Sequence, residues 1–97
     1  MTNIKLTIEY HGLPYCGWQY QKNEKTVQGE IEKAIFKFSG EKKTIQGAGR
    51  TDAGVHAIGQ CANFELEKKF DDYQILSGIN FHLGTEKIRV TTVSYTH

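Results

Sequence analysis

The sequence predicts an α+β fold: one sheet backed by two helices, in the β-α-β-β-α-β order of the ferredoxin-like arrangement. Three observations predict it. The chain opens on strict apolar–polar alternation and closes on a Val- and Thr-rich stretch, both strand patterns. Two inner segments place apolar residues at helical spacing between start and stop signals. Between those helices, a glycine-rich stretch joins two shorter strand patterns.

Taken in order, Ile4, Leu6, Ile8 and Tyr10 alternate with Lys5, Thr7 and Glu9, a strand with one polar face. Residues 11–23 hold Gly12, Pro14 and Gly17 and read as a loop. The loop's Tyr15, Trp18 and Tyr20 suit local packing, or stacking on RNA bases. Thr26 is placed to cap a helix over 27–38, with Val27, Ile31, Ala34, Ile35 and Phe38 on one face and Gly40 as its stop. A short strand over 44–46 leads into the glycines, and a second strand over 55–66 sets Ala62, Phe64 and Leu66 on one face. Asp71 caps the second helix, with Gln74 at the capping-box position and Phe70 able to staple onto Ile75. Leu76, Ile79 and Leu83 mark that helix's buried face before Gly84, and 87–94 closes as a strand. Repeats, linkers and low-complexity segments are absent from the sequence.

The 97 residues, 38% apolar and 24% charged, suit one soluble globular domain. No apolar run reaches membrane-spanning length, and the N-terminus lacks a signal peptide's apolar core. Cys16 and Cys61 lie far apart with no CxxC, so neither a disulfide framework nor a zinc ribbon is indicated, and a reduced, cytoplasmic setting is the default expectation. A net charge of +1 does not by itself argue for a nucleic-acid partner. The paired cations Lys22 and Lys25, Lys42 and Lys43, Lys68 and Lys69, Lys87 and Arg89 read as solvated loop ends.

Chemistry concentrates in residues 47–60, GAGRTDAGVHAIGQ. Glycine clustering marks a tight turn or close approach to a phosphate, a base or the protein's own backbone. The spacing matches neither GxGxxG nor the Walker A loop, and a strand follows where both need a helix. Asp52, His56 and Cys61 have no zinc-ligand spacing. Cys61 and His56 could be drawn as a nucleophilic pair, but a cysteine beside Ala62 in an alternating strand reads as a small core residue. Asp52 has two readings: an Asx-turn, or a nucleophilic or basic carboxylate kept ionised by Arg50. Arginine's planar fork suits bidentate or stacking contacts that lysine cannot make.

The stretch GRTDAGVHAIGQ, residues 49–60, resembles the signature of the bacterial tRNA pseudouridine synthases of the TruA family. Glu9, Tyr10, Gly12, Gly17, Trp18, Gln19 and Gln21 resemble its EYxG…GWQxQ stretch, and Thr26, Val27, Gln28 and Glu32 its helix-opening TVQxxLE. The resemblance implies an isomerase that breaks the uridine N-glycosidic bond and rejoins the sugar to C5 of the same base. It implies that Asp52 is the catalytic nucleophile and that Arg50 binds substrate by displacing the target base and steering the aspartate. It further implies a tRNA partner, uridines on the 3′ side of the anticodon arm, a homodimer, and no metal or organic cofactor. Residues 1–97 are then expected to be the N-terminal, catalytic-aspartate domain. The family's second domain, with a uracil-stacking aromatic residue and a second basic group, falls outside this chain.

Two departures stand out: Tyr20 occupies a position that is often arginine, and residues 80–84, NFHLG, lack the proline of the family's NxxLP. A different class competes, a ferredoxin-like RNA-binding module without activity, or an inactive remnant. Near-neutral charge and the lack of an RNP-type aromatic motif weigh against unaided RNA binding.

Overall fold

Alternation along β1 (Thr2–Tyr10) sorts its residues between two environments: Ile4, Leu6, Ile8 and Tyr10 are buried, while Lys5 and Glu9 are exposed. The computed structural model describes residues 2–11, 25–47 and 57–96. The remaining elements are α1 (Val27–Ser39), β2 (Gln46–Gly47), β3 (Ala57–Leu66), α2 (Asp72–Leu83) and β4 (Ile88–Thr96). The sheet order is β2-β3-β1-β4, with every neighbouring pair antiparallel. Each helix therefore connects two parallel strands that have a third strand between them, the double split β-α-β of a ferredoxin-like fold.

Both helices cover one face of the sheet. Val27, Ile31, Ala34 and Ile35 of α1 and Ile75, Ile79 and Leu83 of α2 join Ile4, Leu6, Ile8, Phe64, Leu66, Ile88 and Val90 in a single core. The caps fix where each helix begins. Thr26 Oγ1 accepts from Gly29 N at 3.1 Å, and Gly40 ends α1 at φ 77°, a left-handed conformation that favours glycine. On α2 the capping box closes both ways, Asp71 accepting from Gln74 N at 2.7 Å and Gln74 Oε1 from Asp71 N at 2.9 Å.

Several boundaries and faces differ from the sequence reading, among them β4, which is Ile88–Thr96 rather than 87–94, and α1, which ends at Ser39 rather than 38. The second strand is Gln46–Gly47 rather than 44–46, because Ile45 is drawn into the core ahead of it. On α2 the buried stripe is Ile75, Ile79 and Leu83, spaced i, i+4 and i+8, while Leu76 is half-buried and packs at the rim of the core. Phe38 is also half-buried, its ring tilted against Phe70 at 4.6 Å between centroids. That contact lies where α1 passes α2, and Gly78 makes it fit: a Cβ on Gly78 would overlap the Phe38 ring.

At the end of the sheet where α1 finishes, Glu41 ties two turns together. Its carboxylate accepts from Glu67 N at 2.9 Å and Lys68 N at 3.1 Å, and Lys68 Nζ donates to Ser39 O at 3.0 Å. The Glu67 hydrogen bond, then that of Lys68 and the charges of Lys43 and Lys68, hold the Glu41 carboxyl below the usual glutamate range.

Two outcomes are expected of the fold. Replacing Gly78 with alanine should destabilise by about 1–3 kcal/mol through overpacking, although alanine favours an isolated helix by about 1 kcal/mol. Denaturant unfolding reads the sign directly. For Glu41, the depressed folded pKa means its stabilisation is complete above the unfolded value near 4.5 and is lost as pH falls through the lower folded value. The melting temperature of Glu41→Gln should therefore fall below the parent's at neutral pH, with the gap closing as pH drops through that window.

Candidate functional site

The topology brings three connections to one end of the sheet. Tyr10, the last residue of β1, pairs with Ala57, the first of β3, and with Ile88, the first of β4. The chain therefore leaves or re-enters the fold there between β1 and α1, between β2 and β3, and between α2 and β4. Two of these connections contain the motif residues 12–21 and 49–56, which sit far apart in sequence. Hydrogen bonding ties the described flanks together. His11 N donates to Lys87 O at 2.9 Å, and Lys25 Nζ meets Glu86 Oε1 at 2.9 Å. The Glu86 hydrogen bond raises the Lys25 pKa against a smaller opposing cost of burial, with the charges of Glu86 and Glu30 adding to it. As a half-exposed pair, this bridge orients the turn more than it stabilises the fold.

Both neighbours of β1 change register at Ile8. Against β3, Ile8 faces Gln60 and Glu9 faces Ile58, leaving Gly59 as an extra residue. Against β4, Thr7 faces Thr92 and Ile8 faces Val90, leaving Thr91 as another. Such bulges bend a strand and re-aim the side chains beside them. The β4 bulge is held on two sides: Thr91 Oγ1 donates to Thr7 O at 3.2 Å, while Asn80 Nδ2 donates to Val90 O at 2.9 Å and Asn80 Oδ1 accepts from Val90 N at 2.8 Å. Asn80 begins the NFHLG segment, so this contact assigns it a structural part in shaping the strand that starts beside Tyr10.

A comparable contact secures β2. Gln28, almost wholly buried in the first turn of α1, donates from Nε2 to Glu32 Oε2 at 2.8 Å and to Ile45 O at 3.2 Å. The same Glu32 oxygen accepts from Ile45 N at 3.0 Å. Sequence reading placed Gln28 and Glu32 in a motif without giving them a task. The available signal was a glutamine two residues after the cap residue with a glutamate one turn later, bordering an apolar stripe.

Arg50 and Asp52 lie outside the described residues, as do His56, Cys16, Tyr15, Trp18 and Tyr20. Cys61 is described and corrects its expected place. It is half-buried opposite Thr7, on the sheet face away from the helices, because Ala62 takes the core position. That outer face is polar, with Lys5, Glu9, Asn63, Glu65 and Arg89 exposed. Among the described residues no group of three or more His, Cys, Asp or Glu could hold a metal ion, and no helix is long and apolar enough to cross a membrane.

Comparison with known proteins places this architecture. A family model described as tRNA pseudouridine synthase matches residues 6–96. The chain is 54% identical over 87 residues to a tRNA pseudouridine synthase A of Wolbachia pipientis wMel, covering 89% of this chain and 36% of that protein. It is 49% identical over 90 residues to the Afipia carboxidovorans protein of the same name, covering 93% of this chain and 37% of that one. With its namesake from Ehrlichia canis it shares 50% over 93 residues, 95% of this chain and 38% of the relative. The chain thus spans somewhat over a third of the length of the curated relatives it matches. With nearly every described residue inside the matched range, the chain belongs to the tRNA pseudouridine synthase family.

Proposed function

We propose that this chain supplies the catalytic aspartate of an enzyme that isomerises uridine to pseudouridine in tRNA, at uridines on the 3′ side of the anticodon arm. The observation that carries the reading is the family match across residues 6–96, which spans the whole glycine-rich motif. The fold adds support, since the two motif-bearing connections start and finish at the same end of the sheet. In this reading residues 1–97 form the N-terminal, catalytic-aspartate domain of a longer protein. That protein acts as a cytoplasmic homodimer, and a second domain supplies the aromatic residue that stacks on the uracil.

The chemistry is balanced without a co-reactant. The bond from the sugar to N1 of the base breaks, a bond from the sugar to C5 forms, C5 gives up a proton and N1 gains one. Asp52 attacks the sugar or the base, holding one fragment while the other turns; retaining glycosidases use a carboxylate on a related bond in the same manner. The target base must first leave its stack, and Arg50 fills the vacated space or stacks on a neighbouring base. Glycines on both sides of Arg50 and Asp52 let the RNA backbone come close.

Two substitutions in the complete protein test this. Asp52→Asn keeps the shape of the side chain but removes the nucleophilic charge. It should fold normally and release no tritium from tRNA labelled at C5 of uridine; normal release would remove Asp52 from the mechanism. Arg50→Lys keeps the charge and loses the planar fork. Activity on intact tRNA should fall by more than about tenfold, roughly 1.4 kcal/mol of transition-state stabilisation. Kinetics within about twofold of the parent would leave Arg50 only a charge, a role that lysine fills as well.

A further inference from the structure

We propose that Gln28 and Glu32 are positioning residues for this reaction: they grip both backbone polar groups of Ile45 and so set the line along which β2 carries the chain toward Arg50 and Asp52. The inference rests on the reading of Asp52 as the catalytic carboxylate.

Among the described residues, the strand that leads into the motif has only a short ladder of its own. β2 contains two residues, and its ladder consists of Gln46 opposite Asn63 and Gly47 opposite Ala62. The returning strand is held far better, since β3 pairs with β1 from Ala57 to Leu66. Among the described residues, one of the two legs that flank the motif is therefore held along its length by the sheet, and the other has further support. Help comes from α1. Glu32 Oε2 accepts from both Ile45 N, at 3.0 Å, and Gln28 Nε2, at 2.8 Å, and Gln28 Nε2 completes the ring at Ile45 O, 3.2 Å away. These bonds use both amide hydrogens of Gln28.

Burial of the Ile45 side chain already holds this point at the correct depth in the core. What side-chain burial leaves free is rotation of the main chain about that anchor, and a bond at each side of the residue removes it. Gln28 and Glu32 are themselves fixed by the helix that Thr26 caps, so the orientation passes from the Thr26 cap through α1 to β2. Placement of this kind matters to catalysis more than to stability, because a misplacement of about 1 Å at a reacting group can cost about 100-fold in rate.

Substitutions that remove the bonds while keeping volume provide the test, in the complete protein. Gln28→Met and Glu32→Met match side-chain length without the donors or the acceptor, and Glu32→Gln keeps an oxygen able to accept both bonds. The expected result for both methionine variants is a kcat at least tenfold below the parent, with KM for tRNA within threefold. Amide hydrogen exchange at Ile45 and Gln46 should accelerate at least tenfold, while Leu6 and Leu66 stay as protected as in the parent. Glu32→Gln should restore both kcat and exchange to near parental values. Normal kcat in a folded methionine variant, a change in KM alone, or a loss in Glu32→Gln equal to that in Glu32→Met would each overturn the positioning role. An active Asp52→Asn would instead remove the premise about catalysis and leave the exchange result to stand separately.

Discussion

The apolar face of β1 carries the organisation of this fold. Ile4, Leu6, Ile8 and Tyr10 share one core with the buried residues of both helices, and the backbone of the same strand pairs with β3 on one side and β4 on the other. Among the described residues no other strand is bonded along most of its length on two sides. Because side chains alternate at every residue, the burial of these four fixes register throughout, and a slip by one position would expose all of them. The register in turn sets Tyr10 beside Ala57 and Ile88, which is what brings the described flanks of the distant motif segments to one end.

From that strand outward, control passes from the sheet to individual side chains. The centre needs only ladders and apolar contact, whereas the outer strands are shaped by single polar residues on the helices. Gln28 and Glu32 act from the first half of α1 on the backbone of Ile45, and Asn80 acts from the last turn of α2 on that of Val90. At Val90 one side-chain amide, and at Ile45 an amide together with a carboxylate, take the part that a neighbouring strand's peptide group would take. The two contacts are equivalent in logic and differ in outcome: one guides a strand toward the motif, the other supports the bulge at Thr91 where β4 bends.

Elements governed by local chemistry were legible in the sequence. Both N-caps, the capping box at Asp71 and Gln74, and the glycine stop at Gly40 act within one helical turn and appear as written. The alternation in β1 was equally plain, as was the β-α-β-β-α-β order. What escaped depends on partners remote in sequence. Ile45 is drawn into the core ahead of β2, its peptide groups bonded to Gln28 and Glu32, and Leu76 yields the core to Ile75 because of how α2 lies on the sheet. The displacement of Cys61 by Ala62 was a matter of period-two alternation and needed only consistent application of it. For the candidate site the motif was readable as a string, since glycine, arginine and aspartate cluster there. The side chains that support its approach were not, because a hydrogen bond from Gln28 to a residue 17 positions away leaves no local pattern.

The Asn80 and Gln28–Glu32 contacts also bear on how this protein behaves in a crowd. Among the described residues β2 and β4 are the two margins of the sheet, and a margin ordinarily offers a row of unanswered amides and carbonyls to any extended chain nearby. At Val90 on one margin, and at Ile45 just ahead of the other, both backbone groups are already occupied by helix side chains. An invading strand would have to displace those contacts before it could add itself to the sheet at either point. The helix side chains that shape the two outer strands thereby also discourage the sheet from growing into its neighbours.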